Sequence, residues 1–308
     1  MTLGIDPKVD YAFKWLFGSE KNTQILIHLL HAILNPSPEE QIVEVQILNP
    51  FNDKMALDEK LSILDIKARD QLGRQFNIEM QMLATAALRQ RVLYYWGKLY
   101  TDQLQAGRDY ELLRPTISLC FVDGVLFPAV PEHHLAFRLI DPAHGVALTD
   151  DLAIHLFELP KFKLAADQLA TPLEAWLYFL RNAEALDPQA LPGSLDTVEI
   201  RQAMEALMQI AHVDMQKEIY EGRLKRLRDE QMILSEAARI RTEGVTEARQ
   251  DGRAEGRAEG RAEGSLIGKI ELAQQVLRRD ATPRADLEAM PLEVLQALAA
   301  RLERELRG

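Results

Sequence analysis

The sequence predicts an α/β chain: a β-sheet flanked by helices, followed by a mostly helical C-terminal half. Three observations carry this. Apolar and polar residues alternate with period two on both sides of a short polar connection within residues 63–82. Residues 115–122, PTISLCFV, form a nearly continuous apolar run, the pattern of a central strand covered on both faces. From about residue 166 onward the periodicity is almost entirely helical, and layers of this kind are how a sheet and helices share one core.

Taken in order, residues 7–34 predict helix. Phe13, Leu16 and Phe17 form one apolar cluster, and Ile25, Leu26, Leu29, Leu30 and Ile33 another. Gly18-Ser19 interrupts them, and Pro36 and Pro38 end the region. Residues 42–48, IVEVQIL, predict a strand. The hairpin follows. In its first strand Ile63, Asp65 and Lys67 alternate with Leu64, Ile66 and Ala68; in its second, Phe76, Ile78, Met80 and Met82 alternate with Asn77, Glu79 and Gln81. Gln71-Leu72-Gly73-Arg74 is the connection, with the glycine that a tight turn favours. Residues 84–106 predict a long helix, in which Leu88, Val92, Tyr95, Leu99 and Leu104 recur at helical spacing before Gly107. Residues 134–140 and 153–159 predict two further strands. Helices are expected over 173–186 and 197–243, separated by Pro188 and Pro192.

Residues 252–264, GRAEGRAEGRAEG, repeat every four. Alanine, arginine and glutamate favour helix, while each glycine costs about 1 kcal/mol against alanine. The segment reads either as a charge-balanced linker or as a helix with a slanted glycine stripe. Residues 266–281 and 284–307 predict a terminal helical pair, the second strongly amphipathic, which suits assembly of subunits into a homo-oligomer. The expected organisation is a domain over 1–165, a helical extension over 166–243, the repeat within 244–265, and a helical module over 266–308.

Chemistry concentrates in the hairpin. Glu79 and Gln81 share one face of their strand, because residues two apart point the same way. Asp65 lies near the start of its strand and Glu79 near the end of the partner, so antiparallel pairing brings the two carboxylates together. Two close carboxylates repel unless a cation lies between them, and hard oxygen donors suit Mg²⁺ or Mn²⁺. The plain alternative is an acidic solvent face on an ordinary hairpin.

Composition bounds the rest. The chain has 308 residues and a net charge of −11, which argues against a surface that binds nucleic acid everywhere and leaves room for a local basic groove. One cysteine, Cys120, excludes an internal disulfide and a cysteine cluster for zinc; its apolar surroundings predict a buried thiol, compatible with a reducing cytoplasm. The N-terminus lacks the pattern of a secretory leader, and no apolar run has the length of a membrane span. His28 and His31 lie three apart on a helix without a nearby carboxylate or cysteine, and His133 and His134 are adjacent, so neither pair completes a zinc set. Neither a nucleophile elbow nor a phosphate-binding glycine loop is present.

Three blocks in order, DPKVDYAFKWLFGSEKN at 6–22, LDIKARD with FNIEMQM at 64–82, and RVLYYWGKLYTDQLQAGRDYELLRPTISLCFVD at 91–123, resemble the Rpn family of recombination-promoting nucleases, also classed as transposases, within the PD-(D/E)XK nuclease superfamily. The resemblance spans about residues 3–240, and the glycine-rich charged repeat is similar to that of many members. It implies a restriction-endonuclease-like mixed sheet flanked by helices and divalent-metal-dependent hydrolysis of DNA phosphodiesters. Carried over to this sequence, it makes Asp65 the aspartate of the "PD" element, Glu79 the acidic residue of the second strand and Asp10 the acidic residue of the N-terminal helix. Gln81 stands where the superfamily usually has lysine. Gln90 and Tyr94 are spaced like a Gln-x-x-x-Tyr element found on the following helix.

With that implication, Asp65, Glu79 and the Met80 carbonyl are the expected holders of Mg²⁺ or Mn²⁺. Gln81 is expected to orient water and Asp10 to assist, with DNA as the partner. Glutamine neither carries a proton away nor supplies positive charge. Lys67, on the outward face of its strand, and Lys14, one helical turn beyond Asp10, are candidates to compensate, and Arg89 and Arg91 to meet backbone phosphate. Two functions stay open: a Mg²⁺-dependent DNA endonuclease linked to recombination or mobile DNA, and a catalytically weak or inactive nuclease fold that binds DNA or protein as a scaffold.

Overall fold

The computed structural model describes residues 2–49, 66–105 and 107–307. The N-terminal helical region divides at Gly18-Ser19, as the sequence predicts. Helix α1 is Asp10–Gly18 and α2 is Thr23–Leu34, with a short 3-10 turn at Glu20–Asn22 between them. Asn35 closes α2 in the left-handed conformation, φ 44°, and its N–H bonds the His31 carbonyl.

Strand β1 is Val45–Ile47, β2 is Ile66–Asp70 and β3 is Gln75–Gln81. β2 and β3 form the antiparallel hairpin, Ile66 opposite Ile78 and Ala68 opposite Phe76. Asp65, Leu64 and Ile63 lie outside the described residues. At the turn Asp70, whose side chain is fully buried, accepts hydrogen bonds from the backbone N–H groups of Leu72 (3.0 Å) and Arg74 (2.9 Å) and from Arg74 Nε (2.6 Å). Gly73 takes φ +83°, and a Cβ there would stand 3.1 Å from Cγ of Arg114, so two constraints select glycine.

Helix α3, Leu88–Thr101, is shorter than the periodicity over 84–106 suggests. It connects β3 to β4, Thr116–Val122, which runs parallel to β3 with Glu79 beside Cys120. Such a parallel pair requires a crossover, which α3 supplies. Strands β5 (His134–Arg138), β6 (Ile140–Asp141), β7 (Val146–Ala147) and β8 (Leu152–Glu158) follow. β6 and β7 pair with each other; the other strands form a mixed six-stranded sheet in the order β1-β2-β3-β4-β8-β5 among the described residues. β4 lies at its centre and is buried along its whole length, as its unbroken apolar run predicts.

The two sheet faces pack differently. Phe76, Ile78, Ile117, Leu119, Phe121 and Phe157 join the large core with α1, α2, α4 (Pro172–Asn182) and α5 (Val198–His212). Trp176 of α4 is fully buried there, edge-on to Phe17, and its indole N–H donates to His28 Nδ1 at 2.9 Å. The opposite face carries Cys120, Val122, Ile154 and Leu156 under Leu88 and Val92 of α3. Burying a side chain of this size contributes roughly 1.5–3 kcal/mol, so the main core dominates the fold.

The periodicity over 197–243 resolves into two helices. Val213 is extended (φ −104°, ψ 111°) between α5 and the 63-residue α6, Asp214–Val276. No glycine or proline marks this break. The repeat at 252–264 lies within α6, and a Cβ added at Gly252, Gly256, Gly260 or Gly264 would meet nothing within 4 Å.

The chain divides into two compact units, Met1–Gln231 and Met232–Gly308. In the second, Ile267, Ile270 and Ala273 of α6 pack against Leu287 of α7 (Arg284–Glu288) and Leu295 and Leu302 of α8 (Leu292–Arg307). Gln274 holds the connection, bonding both the N–H and the hydroxyl of Thr282. Among the described residues no helix is long and apolar enough to cross a membrane.

Candidate active site

The alternation of β3 sends Phe76, Ile78 and Met80 into the main core and Asn77, Glu79 and Gln81 to the face under α3. Glu79 is 3 % exposed, an unusual burial for a carboxylate. Its Oε2 accepts from Gln81 Nε2 at 3.0 Å and lies 3.9 Å from Arg91 Nη2. On the neighbouring strand, burial first and the Glu79 carboxylate second push the Cys120 thiol well above its ordinary range, so this cysteine is held protonated beneath the acid.

Glu79, Met80 and Gln81 line a cavity of about 380 Å³, together with Asp10 from α1, Arg91 and Tyr95 from α3, and Arg223, Arg226 and Glu230 from the first turns of α6. Asp10 opens α1, and its Oδ1 accepts from the Tyr11 N–H at 2.6 Å. Its Oδ2 lies 3.4 Å from Arg223 Nη1. Burial raises the Asp10 pKa; Arg223, the Tyr11 N–H, Arg226 and Lys14 oppose that rise without cancelling it. The structure therefore places four of the sequence-derived site positions, Asp10, Glu79, Met80 and Gln81, along one cavity.

Asp65 lies outside the described residues; its neighbour Ile66 pairs with Ile78, next to Glu79. Among the described residues no group of three or more His, Cys, Asp or Glu side chains forms a metal cluster. The donor chemistry at the cavity nevertheless suits a hard divalent cation: a deeply buried carboxylate, a main-chain carbonyl position and a second carboxylate, all oxygen.

The expected helper residues sort by position. Arg91 lines the cavity, whereas Lys14 and Lys67, both half-buried, do not. Arg89 is exposed and lies over the Phe127 ring, 5.4 Å from its centroid. Gln90 and Tyr94 are exposed, and the pair reaching the cavity is one position further on, Arg91 and Tyr95. Sequence reasoning missed Tyr95 in this role, and Arg223 and Arg226 altogether. The only local signal for the last two was dense mixed charge at 217–231.

The sheet, its flanking helices and the acidic end of β3 define a nuclease-type frame. The family model of the PD-(D/E)XK nuclease family transposases matches residues 7–237, and the chain belongs to that family. Neither a curated protein nor a solved structure matches the chain.

Proposed function

We propose that the chain is a divalent-metal-dependent DNA endonuclease that hydrolyses phosphodiester bonds in DNA recombination or the movement of mobile elements, acting in the cytoplasm. The observation that carries this reading is Glu79, buried at the end of β3 with Gln81 and Asp10 in one cavity, within a chain of a nuclease family. Asp65, Glu79 and the Met80 carbonyl are the residues to hold Mg²⁺ or Mn²⁺. When bound, the ion polarises the scissile phosphate and lowers the pKa of water.

The remaining work falls to side chains. Gln81 donates one amide proton to Glu79 and has an amide oxygen with which to orient the attacking water. Asp10, whose pKa burial raises above the ordinary carboxylate value, takes up a proton more readily than an exposed carboxylate does. Arg91, Arg223 and Arg226 give the acidic cavity a basic rim, suited to a phosphate backbone despite the net charge of −11. The amphipathic C-terminal helices are proposed to assemble subunits.

A second reading, a nuclease fold serving as a DNA- or protein-binding scaffold, is favoured by Gln81 at the usual lysine position and by Arg223 occupying Asp10. Plasmid cleavage separates the two. Nicking or linearisation that requires Mg²⁺, stops with EDTA and vanishes in Asp65→Ala supports the enzyme. DNA binding without cleavage under any divalent metal supports the scaffold.

A further inference from the structure

We propose that Arg91 is a catalytic residue of this site: its guanidinium contacts the scissile phosphate and supplies the positive charge that Gln81 does not. The inference rests on the nuclease reading above and adds the residue that makes it chemically complete.

The cavity rim has three arginines, and they are not equivalent. Arg223 is committed to Asp10 at 3.4 Å and is nearly buried. Arg226 is exposed on α6. Arg91 projects from the first turns of α3 toward β3, between the buried Leu88 and Val92 that fix the helix against the sheet. Its Nη2 stands 3.9 Å from Glu79 Oε2, beyond hydrogen-bond range and within that of an ion pair. Its Nε is buried and has no hydrogen-bond partner among the described residues, while the side chain as a whole is 40 % exposed. The guanidinium thus stands beside the acid, and because the side chain is 40 % exposed its terminal Nη donors are open to an incoming oxygen. Lys14 and Lys67 do not line this cavity.

In hydrolysis the water oxygen forms a bond to phosphorus and the bridging P–O bond breaks. Solvent takes the water's proton, and the leaving alkoxide gains one from solvent. Arg91 keeps its own protons, since a guanidinium stays charged throughout the working range. Its contribution is electrostatic: N–H donors aimed at non-bridging oxygens, where negative charge grows in the transition state. Gln81 orients water but leaves that charge unbalanced, and Arg91 reaches the same carboxylate from the helix above.

The test uses the full chain with Arg91→Met, Arg91→Lys and the double variant Gln81→Lys/Arg91→Met. It reads single-turnover plasmid cleavage with Mg²⁺ and, separately, DNA affinity by fluorescence anisotropy in Ca²⁺. Arg91→Met is expected to cleave about 10²–10³-fold more slowly, the loss typical of an oxyanion donor, with affinity changed less than about threefold. Arg91→Lys should retain more activity than Arg91→Met. Gln81→Lys should restore cleavage at least about tenfold in the Met background, because it returns charge to the strand. A merely structural arginine would not be rescued from Gln81, so absence of rescue overturns the inference. Wild-type-like cleavage by Arg91→Met, or a loss matched by affinity, also overturns it while leaving the nuclease reading intact. If Arg91→Met does not fold, the comparison of Arg91→Lys with Gln81→Lys/Arg91→Lys decides by the same rescue criterion. A wild-type chain that cleaves nothing removes the parent reading and this inference together.

Discussion

Replacing Asp70 by alanine should cost more stability than any exposed substitution in the hairpin. The Asp70 side chain is fully buried and serves three donors: the N–H groups of Leu72 and Arg74, at 3.0 and 2.9 Å, and Arg74 Nε at 2.6 Å. Arg74 is itself mostly buried and also bonds the Glu40 carbonyl. Removing the carboxylate strands a buried guanidinium, which costs about 3–5 kcal/mol. It also releases two turn N–H groups, which adds roughly 1–3 kcal/mol each if water does not replace the acceptor. The expected loss is therefore at least about 3 kcal/mol, and Asp70→Asn, which keeps one acceptor oxygen, should lose less. Urea unfolding at pH 7, with Arg74→Met and the double variant, isolates the pair; a coupling above about 1 kcal/mol is expected. An Asp70→Ala loss below about 1 kcal/mol would refute the claim that these buried bonds hold the turn between β2 and β3.

Two other predictions concern regions beside the site and at the sheet edge. A Cβ at Gly124 would stand 2.6 Å from Ala84 Cβ and 3.1 Å from its backbone N, so Gly124→Ala should destabilise by about 1–3 kcal/mol, read by thermal unfolding; a neutral result would mean the Leu83–Thr85 segment yields freely. His155 is buried beside His134, with Nδ1 3.0 Å from His134 Nε2, and burial first, then His134, lowers its pKa to about 4. The ring is neutral in the fold and protonates more readily when unfolded. The stability it confers is present above pH 6.5 and lost as pH falls toward 4, about 3 kcal/mol in all. His155→Gln should flatten that slope between pH 6.5 and 4.5 in urea titrations, and an unchanged slope would contradict it.

Much of the site frame was legible because its signal is local. Alternation alone assigns Glu79 and Gln81 to one face of β3, and the apolar run TISLCFV identifies the central strand. The phase of α3 was not legible from a short motif. Gln90 and Arg91 differ by about 100° of rotation, and which of them faces the sheet depends on Leu88 and Val92 packing against β4 and β8. Arg223 meets Asp10 across 213 positions, a contact that no local pattern encodes. The break at Val213 was silent for a related reason: one extended residue between two helices needs neither glycine nor proline. The repeat shows the reverse, since its glycines suggest a linker while the alanine, arginine and glutamate around them sustain helix through 252–264.

The central claim, that Glu79 anchors a metal-dependent phosphodiester-cleaving site, is tested most directly by Glu79→Gln. The substitution keeps the size of the side chain and removes its charge. Single-turnover cleavage of supercoiled plasmid in Mg²⁺ should fall by about 10²-fold or more, while circular dichroism and DNA affinity in Ca²⁺ stay at wild-type levels. Cleavage by the variant at the wild-type rate would contradict the account.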